Sequence, residues 1–350
     1  MKYLYALLVL APIALFLEIA NVGGHPAVFV TSALAMVPLA AVLGRATEEV
    51  AVYTGPKVGG LLNATLGNAA ELIITVVALR EGLTEVVKAS IAGSIIGNVL
   101  VVLGFSFLVG GLRHGIQTFD PRNAGVNATM LALAVISLTV PAVFSLGGQT
   151  LRPSGHDIER LSDFMAFVLI AMYGLYILFT LRGEHTAESE VADEGPTSMK
   201  LPVALGLLAG STVAIVVMSE VLVGAIEPTA EEWGLTELFI GVMLVPLVGN
   251  VAEHFVAVQV AAANKMDLSL NIAVGSGLQI ALFVTPVLVL AGWAMGTPMT
   301  LVFNSYELVA LVGATLIAVL VSVDGESNWL EGAQLIALYV VLGLAFFFVP

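Results

Sequence analysis

Cysteine is absent from the 350 residues. That excludes disulfides, thiolate metal sites and dithiol redox chemistry. Basic residues are scarce: 12 Lys and Arg stand against 26 Asp and Glu, a net charge of −14. This balance argues against a nucleic-acid-binding surface and a polybasic lipid anchor, and it suits a protein that handles cations. Charge of both signs is low, at 11% of residues, whereas apolar residues make up 59%. Soluble domains carry about 25% and about 45–50%, respectively. A water-soluble enzyme and a disordered chain are therefore excluded too. The composition leaves an all-α polytopic membrane protein embedded in a lipid bilayer. Its 35 glycines allow helices to approach closely there.

A helix crossing the hydrocarbon needs about 20 mostly apolar residues. Eleven runs qualify as transmembrane helices: 3–20, 25–43, 61–80, 86–110, 125–144, 161–181, 201–225, 236–262, 268–293, 300–322 and 331–349. They are too long for the strands of a membrane barrel, and their short connections leave no room for a soluble domain. The first run follows Lys2 and reaches Leu17. Glu18 occupies the place where a signal-peptide cleavage site requires a small residue, so this run reads as a retained helix. Residues 44–58, with Arg45, Glu48, Glu49 and Lys57, read as an interfacial segment. Residues 182–200 form a long acidic linker at mid-chain, with Glu184, Glu188, Glu190, Asp193 and Glu194. Eight basic residues (Lys2, Arg45, Lys57, Arg113, Arg122, Arg182, Lys200 and Lys265) fall on the N-terminal side, and four (Arg80, Lys88, Arg152 and Arg160) on the other. By the positive-inside rule the N-terminus and the linker are cytoplasmic.

The chain repeats itself. Gly67-Asn68-Ala69-Ala70-Glu71 returns as Gly249-Asn250-Val251-Ala252-Glu253, 182 residues later. The same offset carries Gly93-Ser94 onto Gly275-Ser276. Asn and Glu are rare inside apolar helices, so a shared offset for two polar marks is not chance. The resulting organisation is an N-terminal helix (1–22), a first five-helix repeat (25–181), the linker (182–200) and a second five-helix repeat (201–350). Five is odd, so the copies enter the membrane from opposite sides. Such inverted repeats build secondary transporters with a midplane site.

A Glu at that depth costs at least about 2–3 kcal/mol and marks a functional site by default. Glu71 and Glu253 have no basic residue nearby within their spans, so each is neutralised by a proton or a cation. Two facing carboxylates suit one divalent ion and can carry protons when it leaves. Asn68 shares a helix face with Glu71, and Asn250 with Glu253. Gly67 and Gly249 can loosen the backbone and free carbonyls. Calcium accepts six to eight oxygen ligands in flexible geometry; magnesium is stricter, and softer metals prefer the missing thiolates and imidazoles. Ser94 and Asn98 (i, i+4), with Ser276 and Gln279 (i, i+3), form a second polar layer. Asn98 and Gln279 correspond only with one residue of slip. His254 points about 100° away from Glu253 and is a candidate proton relay. Glu220, inside the seventh run, is a candidate proton path or gate; its repeat counterpart is Pro38. Glu18, Asp163 and Glu307 sit near span ends, where solvation accounts for them.

These residues resemble a known family. Gly67-Asn68-Ala69-Ala70-Glu71-Leu72, Gly93-Ser94-Ile95-Ile96-Gly97-Asn98, Ser219-Glu220-Val221-Leu222-Val223-Gly224, Gly249-Asn250-Val251-Ala252-Glu253-His254, Asn264-Lys265-Met266-Asp267 and Gly275-Ser276-Gly277-Leu278-Gln279-Ile280 are similar to the calcium/proton antiporters of the cation/Ca²⁺ exchanger superfamily. The resemblance implies one helix followed by two inverted five-helix repeats. It further implies that Glu71 and Glu253 bind Ca²⁺ and protons alternately, with carbonyls near the Gly-Asn turns and Ser94, Ser276 and Gln279 close by. Gly277 departs from the family's Gly-Ser-Ser pattern. The long hydrophilic tail of plant and fungal members is missing, which implies a prokaryotic cell membrane. The sodium/calcium exchangers of the superfamily place Pro before the first Glu and hydroxyl residues after it. Here Ala70 and Leu72 stand there, which favours proton over sodium coupling. A sodium-coupled or broad divalent exchanger is the nearest alternative, and a cation channel the next. An intramembrane aspartyl protease is excluded, because Asp324 has no partner. The expected substrates are Ca²⁺ and H⁺, with no resident cofactor; a homo-oligomer is compatible with the sequence.

Overall fold

The computed structural model describes residues 5–146, 154–182 and 199–349. The acidic linker expected at 182–200 falls almost wholly outside the described residues, as does Arg152. In chain order the helices are α1 (Leu10–Ala20), α2 (Gly24–Thr54), α3 (Pro56–Leu66), α4 (Ala69–Arg80), α5 (Thr84–Ile96), α6 (Leu103–His114), α7 (Pro121–Ser145), α8 (Gly155–Leu181) and α9 (Leu201–Gly224). They continue with α10 (Ile226–Trp233), α11 (Glu237–Phe239), α12 (Val245–Gly249), α13 (Val251–Ala262), α14 (Met266–Gln279), α15 (Thr285–Met295), α16 (Ser305–Val321) and α17 (Trp329–Phe348). Three π-helical segments, Gly97–Val102, Ile240–Leu244 and Ile280–Val284, join α5 to α6, α11 to α12 and α14 to α15. A two-residue strand, β1 (Gln117–Thr118), pairs antiparallel with β2 (Glu326–Ser327).

By length and composition seven helical stretches among the described residues can cross a bilayer: Gly24–Thr54, Thr84–His114, Pro121–Ser145, Gly155–Thr180, Leu201–Trp233, Met266–Met295 and Trp329–Phe348. Glu237–Gly249 and Glu253–Ala262 make an eighth only as a pair bent by 62°, and Leu7–Ala20 and Ser305–Val321 are apolar but shorter. The expected span 61–80 is not one helix, because the chain leaves helical geometry between Leu66 and Ala69. The expected interfacial segment 44–58 is also corrected. Its first part continues α2 to Thr54 and buries Ala46, Thr47, Glu49 and Val50. Two of its charges have partners: Glu49 accepts from the Met199 amide at 3.2 Å, and Arg45 hydrogen-bonds Tyr5; Glu48 is exposed.

The sequence sets several helix starts. Ser154 and Asp157, Asn304 and Glu307, and Asn328 and Glu331 form reciprocal capping boxes for α8, α16 and α17, satisfying amides that have no partner inside the helix. Glu307 is therefore not a solvated span-end residue as expected. It is 1% exposed, and its Oε2 accepts from the Asn304 amide at 2.8 Å.

Small residues set the central crossing. A Cβ at Gly93 would collide with the Val242 carbonyl, and one at Gly241 would stand 2.6 Å from the Ala89 Cβ. Helix α5 and the Ile240–Leu244 segment thus touch backbone to backbone. Around this centre α2 packs along α9, and α6 along α17.

Candidate cation site

Both Gly-Asn motifs fall at helix breaks. Asn68 (φ −91°, ψ 16°) and Asn250 (φ −100°, ψ 3°) leave the helical region for the sparsely populated bridge region. Each precedes a twelve-residue helix with a Glu in its first turn, Glu71 in α4 and Glu253 in α13. A helix N-terminus favours negative charge there. Neither asparagine side chain caps its own helix; both turn into the centre of the molecule instead.

The two motifs interlock. The Glu71 side chain lies on Gly249, its Cγ 2.7 Å from where a Cβ would stand, and Glu253 Oε1 lies 3.5 Å from the corresponding point on Gly67. Each carboxylate is thus seated on the other motif's glycine. Ser94 Oγ donates to Glu71 Oε1. Asn250 Nδ2 donates to the same oxygen at 2.6 Å and lies 3.2 Å from Ser94 Oγ and 3.1 Å from the Pro246 carbonyl. On the other side, Asn68 Nδ2 donates to Gln279 Oε1 at 2.5 Å. Asn98 Nδ2 donates to Ser276 Oγ at 3.1 Å, and Ser276 Oγ donates to Asn68 Oδ1 at 3.4 Å. Ser276 also stands beside Glu253. The one-residue slip between Asn98 and Gln279 is absorbed in space, because both reach the same Asn68–Ser276 pair.

Three oxygens here are buried without a hydrogen-bond donor: Glu71 Oε2, Glu253 Oε2 and Asn98 Oδ1. Buried acceptors in native proteins are nearly always satisfied, so oxygens left open in an apolar interior call for a cation or a proton. Among the described residues no group of three or more His, Asp or Glu side chains converges. The charge of the centre comes from the two glutamates.

Two residues singled out in the sequence stand apart from this network. Glu220 lies near the end of α9, within the candidate span Leu201–Trp233, is half exposed, and pairs with Arg80 at 3.3 Å. The His254 ring follows Glu253 and keeps a buried Nε2 with no hydrogen-bond partner. Sequence reasoning missed the Pro246 carbonyl, which no side-chain pattern marks. It also missed Lys88, buried one turn into α5, where Nζ donates to the Val302 carbonyl at 3.0 Å and pairs with Glu85.

A family model described as "Sodium/calcium exchanger protein" matches residues 24–182 and 203–348. The chain belongs to this family. A Ca²⁺/H⁺ antiporter of Aphanothece halophytica is 50% identical over 340 residues, covering 92% of this chain and 90% of that one. The Ca²⁺/H⁺ antiporter ChaA of Bacillus subtilis is 44% identical over 328 residues, covering 91% of each. The solved structure of native YfkE matches with a TM-score of 0.86 at 39% identity, covering 99% of each chain. The chain is thus a membrane-integral transporter of this family.

Proposed function

We propose that this chain is a secondary antiporter exchanging Ca²⁺ for H⁺ across a membrane, with Glu71 and Glu253 binding the two substrates alternately. The observation that carries the reading is the pair of buried, donor-free oxygens, Glu71 Oε2 and Glu253 Oε2, on side chains seated against each other's helix break. The charges of both carboxylates match one divalent cation. Asn68, Asn250, Ser94, Asn98, Ser276 and Gln279, with carbonyls freed at Gly67 and Gly249, supply neutral oxygens toward the six to eight that calcium takes. Protonation of the carboxylates discharges the cation, and the same two groups then return carrying protons. The names of the relatives agree with this exchange.

The architecture we infer is an N-terminal helix (1–22) and two five-helix repeats (25–181 and 201–350) inverted about the membrane plane, eleven crossings in all. In support, the backbone departures recur at the sequence offset of 182. Asn68 and Asn250 break helices, and Gly82 and Asn264 both take positive φ, 84° and 63°. The π segments Gly97–Val102 and Ile280–Val284 follow at the same offset within one residue. The repeats rock or slide around the shared centre to expose it to each side in turn. The N-terminus faces the cytoplasm of a prokaryotic cell.

The test is ⁴⁵Ca²⁺ uptake by purified protein in liposomes under an imposed pH gradient, repeated under a sodium gradient. Uptake driven by the pH gradient and abolished in Glu71→Gln is expected. Uptake driven only by sodium moves the protein to sodium coupling. Flux indifferent to both gradients makes it a channel.

A further inference from the structure

Away from the cation site, a groove of about 440 Å³ runs between α6 and α13, lined by Val109, Phe255, Val258 and Ala262, with Arg113 and Gln259 among its walls. That volume falls in the range of small-molecule pockets, about 300–1,000 Å³. The groove belongs to the outer surface. Phe255 is 54% exposed, and Leu112 and Ile116 flank the end of α6 with 66% and 65% exposure. Helix α6 belongs to the candidate span Thr84–His114 and α13 to the bent pair Glu237–Gly249 and Glu253–Ala262, which places these exposed apolar side chains where lipid can cover them.

One end of the groove carries a positive charge. Arg113 sits in the last turn of α6, exposed, and makes no ion pair among the described residues. Arg122, Arg160, Arg182 and Lys200 likewise make no ion pair among the described residues, but Arg113 is the one that lines this groove. The end of a membrane helix lies at headgroup level. Next to it, the His114 ring contacts the Ala262 carbonyl at 3.0 Å, tying the ends of α6 and α13 together beside the groove.

We propose that this groove binds one anionic glycerophospholipid, with an acyl chain along Val109, Phe255, Val258 and Ala262 and its phosphate on Arg113. An apolar trough suits the chain, and an unpaired guanidinium suits a phosphate through two parallel hydrogen bonds. A basic residue at a membrane surface favours anionic over neutral lipid. Helix α13 carries Glu253, so the bound lipid lies along the helix that bears one of the two central carboxylates. The proposal rests on membrane insertion alone and stands whatever ion is exchanged.

The experiment titrates purified full-length protein in detergent with dioleoyl phosphatidylglycerol, dioleoyl phosphatidylcholine or inorganic phosphate, counting retained lipid by native mass spectrometry. The wild type retains one phosphatidylglycerol in preference to phosphatidylcholine. Arg113→Gln weakens that retention about fivefold, the effect of one basic residue at a membrane surface, while Arg113→Lys keeps most of it. Val258→Trp, which fills the trough, abolishes it. Thermal unfolding without added lipid checks that each variant folds. Equal retention of the two lipids by the wild type overturns the proposal, as does wild-type retention by Arg113→Gln. Protection by inorganic phosphate equal to that by phosphatidylglycerol overturns it too, since the site would then hold an anion without a chain.

Discussion

Glu71 packs on Gly249, its Cγ 2.7 Å from the position a Cβ would take. No side chain larger than hydrogen fits at 249 unless Glu71 moves. Gly249→Ala therefore displaces the carboxylate rather than merely filling space. Overpacking of this kind costs about 1–3 kcal/mol, so the variant folds with a lowered Tm. Its Ca²⁺ uptake in liposomes falls at least about tenfold, since 1.4 kcal/mol of lost binding is a factor of ten. Wild-type uptake by Gly249→Ala overturns the assignment of Glu71 to the cation.

Glu71→Gln separates charge from structure. Ser94 and Asn250 both donate to Glu71 Oε1, and a glutamine carbonyl oxygen accepts the same two bonds. Stability is thus preserved or raised, because a buried carboxylate is replaced by a neutral amide. Uptake is abolished. Thermal unfolding and ⁴⁵Ca²⁺ flux on one preparation check both halves, and a large loss of Tm would point to a structural role instead.

Proton competition gives a pH dependence with a definite sign. A carboxylate must be deprotonated to ligate a cation, so Ca²⁺ affinity rises with pH and falls as the carboxylates take up protons. Titration calorimetry at two pH values below and above neutrality reads this directly. Affinity that does not change with pH would remove Glu71 and Glu253 from the proton step. In Glu253→Gln one carboxylate no longer competes, so the pH dependence becomes shallower.

Asn250 Nδ2 faces three acceptors, Glu71 Oε1, Ser94 Oγ and the Pro246 carbonyl. Asn250→Ala leaves them short of a donor in a buried place, at about 1–3 kcal/mol for an unsatisfied group. Both Tm and Ca²⁺ uptake fall. A variant that lost uptake at unchanged Tm would make Asn250 a ligand only, not a support for Glu71.

Gly277, by contrast, has room. A Cβ there makes only ordinary contacts, 3.8 Å to Val99 and 3.9 Å to the Asn98 Cβ. Asn98 Oδ1 lacks a donor, and Asn98 is one of the residues a side chain at 277 would touch. Gly277→Ser is expected to raise Tm, adding a hydrogen bond and removing a helix-interior glycine that costs about 1 kcal/mol relative to Ala. Unfolding temperatures of the two proteins decide it.

Much of the site is legible in the sequence because polar residues are conspicuous in an apolar chain. Glu71, Glu253, Asn68, Asn250, Ser94 and Ser276 stand out by type and offset, Asn98 and Gln279 by type, and the structure gathers them at the centre in two hydrogen-bonded groups. The errors lie where charge is hidden by partners. Residues 44–58 look interfacial because they carry Arg45, Glu48, Glu49 and Lys57, yet α2 continues through them to Thr54, with Glu49 bonded to the Met199 amide. Glu307 looks solvated but closes a capping box while buried. Glu220 looks unpartnered in its run but pairs with Arg80 while half exposed.

Composition and periodic hydrophobicity, which are local properties, determine that this chain enters a membrane as helices. The 182-residue offset determines that its two halves are related. The tertiary structure alone decided that Glu71 rests on Gly249 and Glu253 faces Gly67, and that Asn68 and Asn250 turn away from capping their own helices. The physical reason is that these contacts join residues from opposite halves of the chain. Only packing settles which glycine leaves space for which carboxylate, and which amide meets its acceptor.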